Sequence, residues 1–241
     1  MRYFWCFAKP TISMNLAIQS ITVLAAGYIC YHFLIRSASL RSSFEKKWGV
    51  ERIKIYWIYF WRYLGVFLYG VIPVALIIFQ GLDFHRFGLS QKAGMPTLWW
   101  TAGLSIVVLV MNFFATRSPD NLTQYPQIRV EKWSRALVVG SAFTWTAYLL
   151  AYEFLFRGFL LFSCVEEMGI WTAIAVNTAL YALVHVPKGI KEAIGAVPLG
   201  VLLCWLTLQT GTIWIAFLVH VVMALSNEWF SIYYTGRRAV G

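Results

Sequence analysis

Between Ala136 and Phe162 the chain is almost wholly apolar, and Glu153 and Arg157 are the only charged residues in that run. A bilayer-spanning helix needs about 20 mostly apolar residues, and this stretch is long enough. A charged side chain at mid-bilayer costs about 2.5–3.5 kcal/mol on insertion scales, so it persists where it pairs or where function requires it. Residues four apart share a helix face, which lets Glu153 and Arg157 form an ion pair. Self-neutralisation is the simplest account of the pair. His185 and His220, in later apolar stretches, point to something more.

The whole sequence follows the same pattern. Of 241 residues, 60% are hydrophobic and only 12% charged, against about 45–50% and about 25% in soluble domains. Seven apolar stretches are long enough to cross a membrane, at about 14–35, 55–80, 97–115, 136–163, 170–187, 193–210 and 212–234. The expected fold is therefore all-α, a polytopic transmembrane bundle of about seven helices. Ser37-Ala38-Ser39 has the small residues of a signal-peptide cleavage site. The apolar run before it exceeds the roughly 7–15 residues of a signal-peptide core, so the first stretch reads as a retained helix. The segments 36–54 and 116–135 read as surface connections, the first basic and amphipathic, the second interrupted by Pro119 and Pro126.

The net charge of +10 lies mainly between the apolar stretches. The connections 36–54, 116–135 and 188–192, with the tail, carry 14 Lys and Arg, against 4 on the other side (Arg2, Lys9, Arg86 and Lys92). The positive-inside rule places the richer side in the cytoplasm and the N-terminus outside. The expected location is the inner membrane of a bacterial cell, with membrane lipids as the partners of the basic surface. No recognition motif accompanies the charge, so nucleic acid is not an expected partner. Arg62, alone in its apolar stretch, reads as pairing or snorkelling near a membrane face. Cys6, Cys30, Cys164 and Cys204 are isolated and read as small buried hydrophobes. The acidic pair Glu166 and Glu167 reads as solvated.

Two further polar stripes stand out. Asn177, Tyr181 and His185 are spaced by four on one face of the fifth stretch. His220 opens another in the seventh, with Ala224 four residues on and Asn227 seven on. Glu228 follows and reads as a surface charge. Taken singly, each histidine is explained by a hydrogen bond to a carbonyl or a neighbouring helix. Three helices with polar stripes are expected to converge in the bundle interior, because polar groups avoid lipid. A Glu, an Arg, two His and an Asn around one wet cavity have the composition of an acid–base site with an oxyanion-stabilising partner.

The ordered elements Glu153, Arg157-Gly158, then Tyr181 and His185, then His220 resemble the CPBP family of membrane proteases, also called the Abi or CAAX prenyl protease 2-like family. The resemblance covers about 136–230. It implies an intramembrane glutamic endopeptidase core at 136–234, after N-terminal helices and basic connections at 1–135 and before a short basic tail at 235–241. The family includes enzymes that remove the last three residues of prenylated CaaX proteins, and bacterial members tied to bacteriocin processing and immunity. Its pattern is two adjacent Glu with an Arg four after the second, an aromatic four before a His, and a final His with Asn or Asp four later. By position, Glu153 matches the second Glu, Arg157 the Arg, Tyr181 and His185 the middle motif, and His220 the last His.

Two positions depart from the pattern. Tyr152 stands where the water-activating Glu is expected, and Ala224 stands in the Asn place. With a reference pKa near about 10, a tyrosine cannot act as a carboxylate base. Three resolutions are open. Glu153 is itself the base, with Asn227 reaching in from the next turn. Alternatively Glu192, in the connection after His185, folds back to supply a carboxylate, although beside Lys188 and Lys191 it also reads as a solvated loop charge. Or catalysis is lost and the scaffold serves as an immunity or scaffolding factor. Glu153, His185 and His220 are also the ligand types of a catalytic zinc, while the resemblance implies a metal-independent mechanism without cofactors. A transporter would also carry intramembrane charges, but the chain shows no inverted repeat. The leading expectation is hydrolysis of a peptide bond in a membrane-associated peptide or protein. Glu153 and His185 would activate water, Arg157 would orient Glu153 and His220 would stabilise the oxyanion. Tyr181, Asn177, Asn227 and Glu192 are the candidate supporting residues.

Overall fold

In lipid, backbone polar groups must be satisfied within the protein, and a helix does this within one segment. The computed structural model describes residues 15–90 and 94–238. Among these it forms ten α-helices: α1 Leu16–Arg36, α2 Ala38–Val66, α3 Ile72–Phe79, α4 Met95–Ala115, α5 Pro119–Gln124, α6 Arg135–Glu153, α7 Leu161–Met168, α8 Ile170–His185, α9 Ile190–Thr210 and α10 Trp214–Arg238. Short π-helical turns join α2 to α3 (Phe67–Val71) and α6 to α7 (Phe154–Leu160), so the helix continues without a break at both junctions. Seven continuous helices are long and apolar enough to cross a membrane. The protein is a multi-pass membrane protein, an all-helical bundle. Arg2, Lys9, Cys6, Lys92 and residues 239–241 lie outside the described residues.

The surface carries what a soluble protein would bury. Helix α4 buries only Thr97 and turns Trp99, Ile106, Met111 and Phe114 outward. An apolar face of this extent calls for lipid or a partner. The rod formed by α6 and α7 runs through the centre, and every residue from 151 to 161 is buried. Helix α2 lies close to α6 because Gly65 has no side chain: a Cβ there would sit 2.3 Å from the Tyr148 ring.

Contacts at the helix ends sort the connections into two sets, the same two that the charge count separates. At one end Trp214 Nε1 donates to the Ser90 carbonyl (2.9 Å), Ile213 N donates to Gly88 O (3.1 Å), and Arg86 pairs with Glu166. At the other, Gln124 donates to the Lys188 carbonyl (2.9 Å), Asn121 donates to Ser231 Oγ (2.9 Å), and Lys191 meets Asp120 at 2.7 Å. The Lys191 ammonium holds the exposed Asp120 carboxyl below its ordinary range.

Several expectations need correction. Segment 36–54 is helical, with its turn of direction at Gly49, whose φ of +78° suits glycine; Arg41, Lys46 and Lys47 remain exposed. The stretch 116–135 is not wholly superficial. Tyr125, Pro126 and Ile128 are buried, and Tyr125 joins an apolar cluster with Trp145, Leu149 and Phe217. Burial there pushes the Tyr125 hydroxyl pKa up. Cys164 and Cys204 are buried, but Cys30 is exposed on the outer face of α1. Glu166 is half-exposed yet paired with Arg86, and Asn15 donates to Glu167 at 3.4 Å.

The largest correction concerns Glu228, which is not a surface charge: it is the partner that Arg62 pairs with, and their side chains are 3% (Arg62) and 1% (Glu228) exposed and lie 3.7 Å apart. Arg62 Nη1 also donates to Ser141 O, Ser141 Oγ and Thr144 Oγ1 at 2.9–3.0 Å, and Nη2 donates to Gln127 Oε1 at 3.2 Å. Its guanidinium stacks 4.4 Å from the Trp145 ring. Glu228 accepts from the Gln127 backbone N–H at 3.2 Å. The cluster ties α2, α6, α10 and the 116–135 stretch together. Breaking a buried pair leaves an uncompensated charge, at a cost of about 3–5 kcal/mol. Glu228→Ala is therefore expected to lower the thermal unfolding temperature of the detergent-solubilised protein sharply. The double variant R62M/E228L is expected to recover much of that loss.

Candidate active site

The site begins with a local property of the central rod. Helix α6 ends at Glu153 and passes into seven residues of π-helix, Phe154–Leu160. A π-turn is wider than an α-turn and is found frequently at functional sites. Here the Phe156 carbonyl accepts from Asn177 Nδ2 at 2.6 Å, across the interface with α8. Cys204 of α9 donates to Asn177 Oδ1 at 3.2 Å. Asn177 thus pins the π-turn to two neighbouring helices. Gly158 supplies clearance: a Cβ there would lie 2.9 Å from both the Phe87 carbonyl oxygen and the Phe154 ring.

The charged residues are held on this support. Glu153 and Arg157 are both wholly buried, with Arg157 Nη1 3.4 Å from Glu153 Oε2. The Arg157 guanidinium carbon lies 4.1 Å from the centre of the Tyr181 ring, a cation–π contact from α8. The other carboxylate oxygen, Glu153 Oε1, lies 2.6 Å from His220 Nδ1 of α10. Glu153 is therefore bracketed by a guanidinium on its own helix and an imidazole from another.

The second imidazole is fixed differently. His185 Nδ1 lies 2.7 Å from the Tyr181 carbonyl one turn earlier. A carbonyl only accepts, so His185 Nδ1 carries a proton and Nε2 keeps its lone pair. Against an ionised Glu153, His220 Nδ1 is likewise the donor and Nε2 the acceptor. Both rings stand nearly edge-on to Tyr152, at 85° and 83°, with centroids 6.4 and 5.7 Å away. Each histidine is 8% exposed, whereas Glu153 and Arg157 are 0% exposed. The imidazoles are slightly exposed, and the carboxylate is not.

Of the sequence candidates, Glu153, Arg157, Asn177, Tyr181, His185 and His220 come together in one buried cluster. Two do not. Glu192 sits 3.6 Å from Lys188, about a third exposed, and supplies no carboxylate to the cluster. Asn227 accepts from Ser231 Oγ at 3.4 Å, one turn further along α10. Ala224 packs against the apolar cluster that holds Tyr125. The described residues hold no group of three or more His, Cys, Asp or Glu placed to share a metal ion. The Glu153–His220 bond spans 67 residues and leaves no trace in sequence spacing. Nor does the role of Cys204 beside Asn177.

The bundle and its buried cluster define a membrane protein with an ionisable site inside its helices. Residues 133–226 match the family described as type II CAAX prenyl endopeptidase Rce1-like. Over that segment the chain is similar to the CPBP/CAAX protease family, and the match supports an intramembrane protease of the CAAX type. No curated protein and no solved structure matches the chain.

Removing Asn177's side-chain amide would leave the Phe156 carbonyl buried without its partner, a loss of about 1–3 kcal/mol. Asn177→Ala is expected to lower the thermal midpoint, measured by the temperature at which the purified protein aggregates. It should also lower any activity that depends on the placement of Arg157.

Proposed function

We propose that this protein is a metal-independent intramembrane endopeptidase that hydrolyses a peptide bond in a membrane-associated peptide or protein. The observation that carries the reading is the 2.6 Å contact between His220 Nδ1 and a wholly buried Glu153. A carboxylate bonded to one imidazole nitrogen fixes the tautomer and orientation of the ring. It also stabilises the imidazolium formed when the other nitrogen takes a proton.

In this reading His220, not Glu153, is the base, because Glu153 lies between Arg157 and His220 and is shut away from water. His220 Nε2 takes a proton from water as the water oxygen bonds to the scissile carbonyl carbon. The intermediate collapses by breaking the C–N bond, and the amine leaves with the proton from His220. His185 Nε2 accepts a hydrogen bond from the second proton of the attacking water and so positions it. Arg157 holds Glu153, and Tyr181 holds Arg157. Tyr152 then takes no proton from water, which removes the difficulty raised by the missing first glutamate. The family supplies the substrate class to try first, a prenylated peptide ending in CaaX.

A second reading has a specific basis. Tyr152 is packed among aromatic rings where a carboxylate is expected, and Glu153 is wholly buried; both suit a scaffold that binds without cleaving.

The two separate in one assay. Protein in liposomes is incubated with a farnesylated CaaX peptide and with the same peptide unprenylated, and released tripeptide is read by mass spectrometry. General-base loss costs about 10²–10⁴-fold, so His220→Ala and Glu153→Gln are each expected to lose that much, and a zinc chelator is expected to change nothing. Undiminished cleavage by folded H220A overturns the mechanism. No cleavage of either peptide by wild type favours the scaffold.

A further inference from the structure

Among the described residues, Tyr152 is the one aromatic side chain in ring contact with both imidazoles, and it has not been given a chemical task. Its ring is enclosed by Tyr69, Tyr148, Phe156, Tyr181, His185 and His220, with centroids 4.7–6.4 Å away. Six aromatic neighbours account for the ring and leave the hydroxyl unexplained. A phenylalanine would fill the same space. Yet the residue is 6% exposed, and its hydroxyl is buried without a hydrogen-bond partner. A buried hydroxyl without an acceptor costs free energy, so such groups in a folded protein call for a reason.

Other polar side chains near the two histidines face groups of the protein itself. Arg157 faces Glu153 at 3.4 Å and the Tyr181 ring at 4.1 Å. Asn177 donates to Phe156 O. The two Nδ1–H groups are held by Glu153 and the Tyr181 carbonyl, and both Nε2 atoms are acceptors in the neutral rings. Two imidazoles that present acceptor nitrogens can activate water but offer no donor for the negative charge that develops on the carbonyl oxygen.

We propose that the Tyr152 hydroxyl supplies that donor, binding the substrate's scissile carbonyl and stabilising its oxyanion. This rests on the hydrolase reading above. As water adds to the carbonyl carbon, the C=O π electrons move to oxygen. The Tyr152 O–H donates to that oxygen without transferring its proton, and the bond relaxes when the C–N bond breaks and C=O re-forms. The tyrosine at the place of the expected glutamate then changes the division of labour: the Glu153–His220 dyad takes the proton, and residue 152 takes the charge.

Tyr152→Phe keeps the ring and removes only the donor. Loss of one oxyanion donor lowers kcat by about 10²–10³-fold. The expected result with the farnesylated CaaX peptide is a kcat reduced by about 100-fold, with KM and the thermal midpoint close to wild type. A purely structural role would instead move the midpoint, or KM and kcat together. A second readout needs no turnover: a peptide aldehyde, whose hydrate presents a tetrahedral oxygen, is expected to bind Y152F at least about tenfold more weakly. If wild type cleaves the peptide or binds the aldehyde and Y152F matches it, the Tyr152 assignment is wrong and the dyad stands. If wild type does neither, the hydrolase reading fails and the assignment falls with it.

Discussion

Everything at the centre of this bundle depends on one carboxylate. Glu153 is fully buried, with Arg157 on one oxygen and His220 on the other. An isolated charge at that depth is not tolerated, and each partner relieves part of its cost. The partners in turn need their own support. Arg157 lies on the Tyr181 ring, and the π-turn that carries it is pinned through Phe156 O to Asn177. Asn177 is bonded to Cys204. One ionisable group thus organises four helices, and contacts that look like isolated polar oddities along the chain are consecutive links of one network.

A second buried charge pair shows the same logic used for a different end. Arg62 and Glu228 sit toward the other end of the α6–α10 interface and join α2 and the 116–135 stretch to it. Almost every Arg62 contact is with the protein's own backbone or hydroxyls. That pair closes a structure. The Glu153 pair leaves a nitrogen of His220 uncommitted, and the difference separates a tie from a site.

Helix number and position were legible because a 20-residue apolar run has few alternatives once the backbone must satisfy itself. The residues of the site were legible for the same reason: Glu153, Arg157, His185 and His220 are conspicuous wherever they fall in an apolar stretch. The sorting of connections followed from charge. The misreadings occurred where a residue's environment comes from another helix. Arg62 had no charged companion in its own segment, and its partner is 166 residues away. The stretch 116–135 is polar with two prolines, yet it carries Tyr125 into a cleft that only the assembled helices create.

The sequence by itself determined that this chain crosses a membrane several times and keeps a small set of ionisable groups among its C-terminal helices. Periodicity and hydropathy are local, and a bilayer makes them decisive. Only the tertiary structure decided which nitrogen faces which oxygen. His220 Nδ1 lies 2.6 Å from Glu153 Oε1, and the two imidazoles meet edge-on at Tyr152. Those facts depend on how four helices rotate and pack against one another. Side-chain spacing along one helix fixes its face, but the angle at which that face meets its neighbours is set by the packing of the whole bundle.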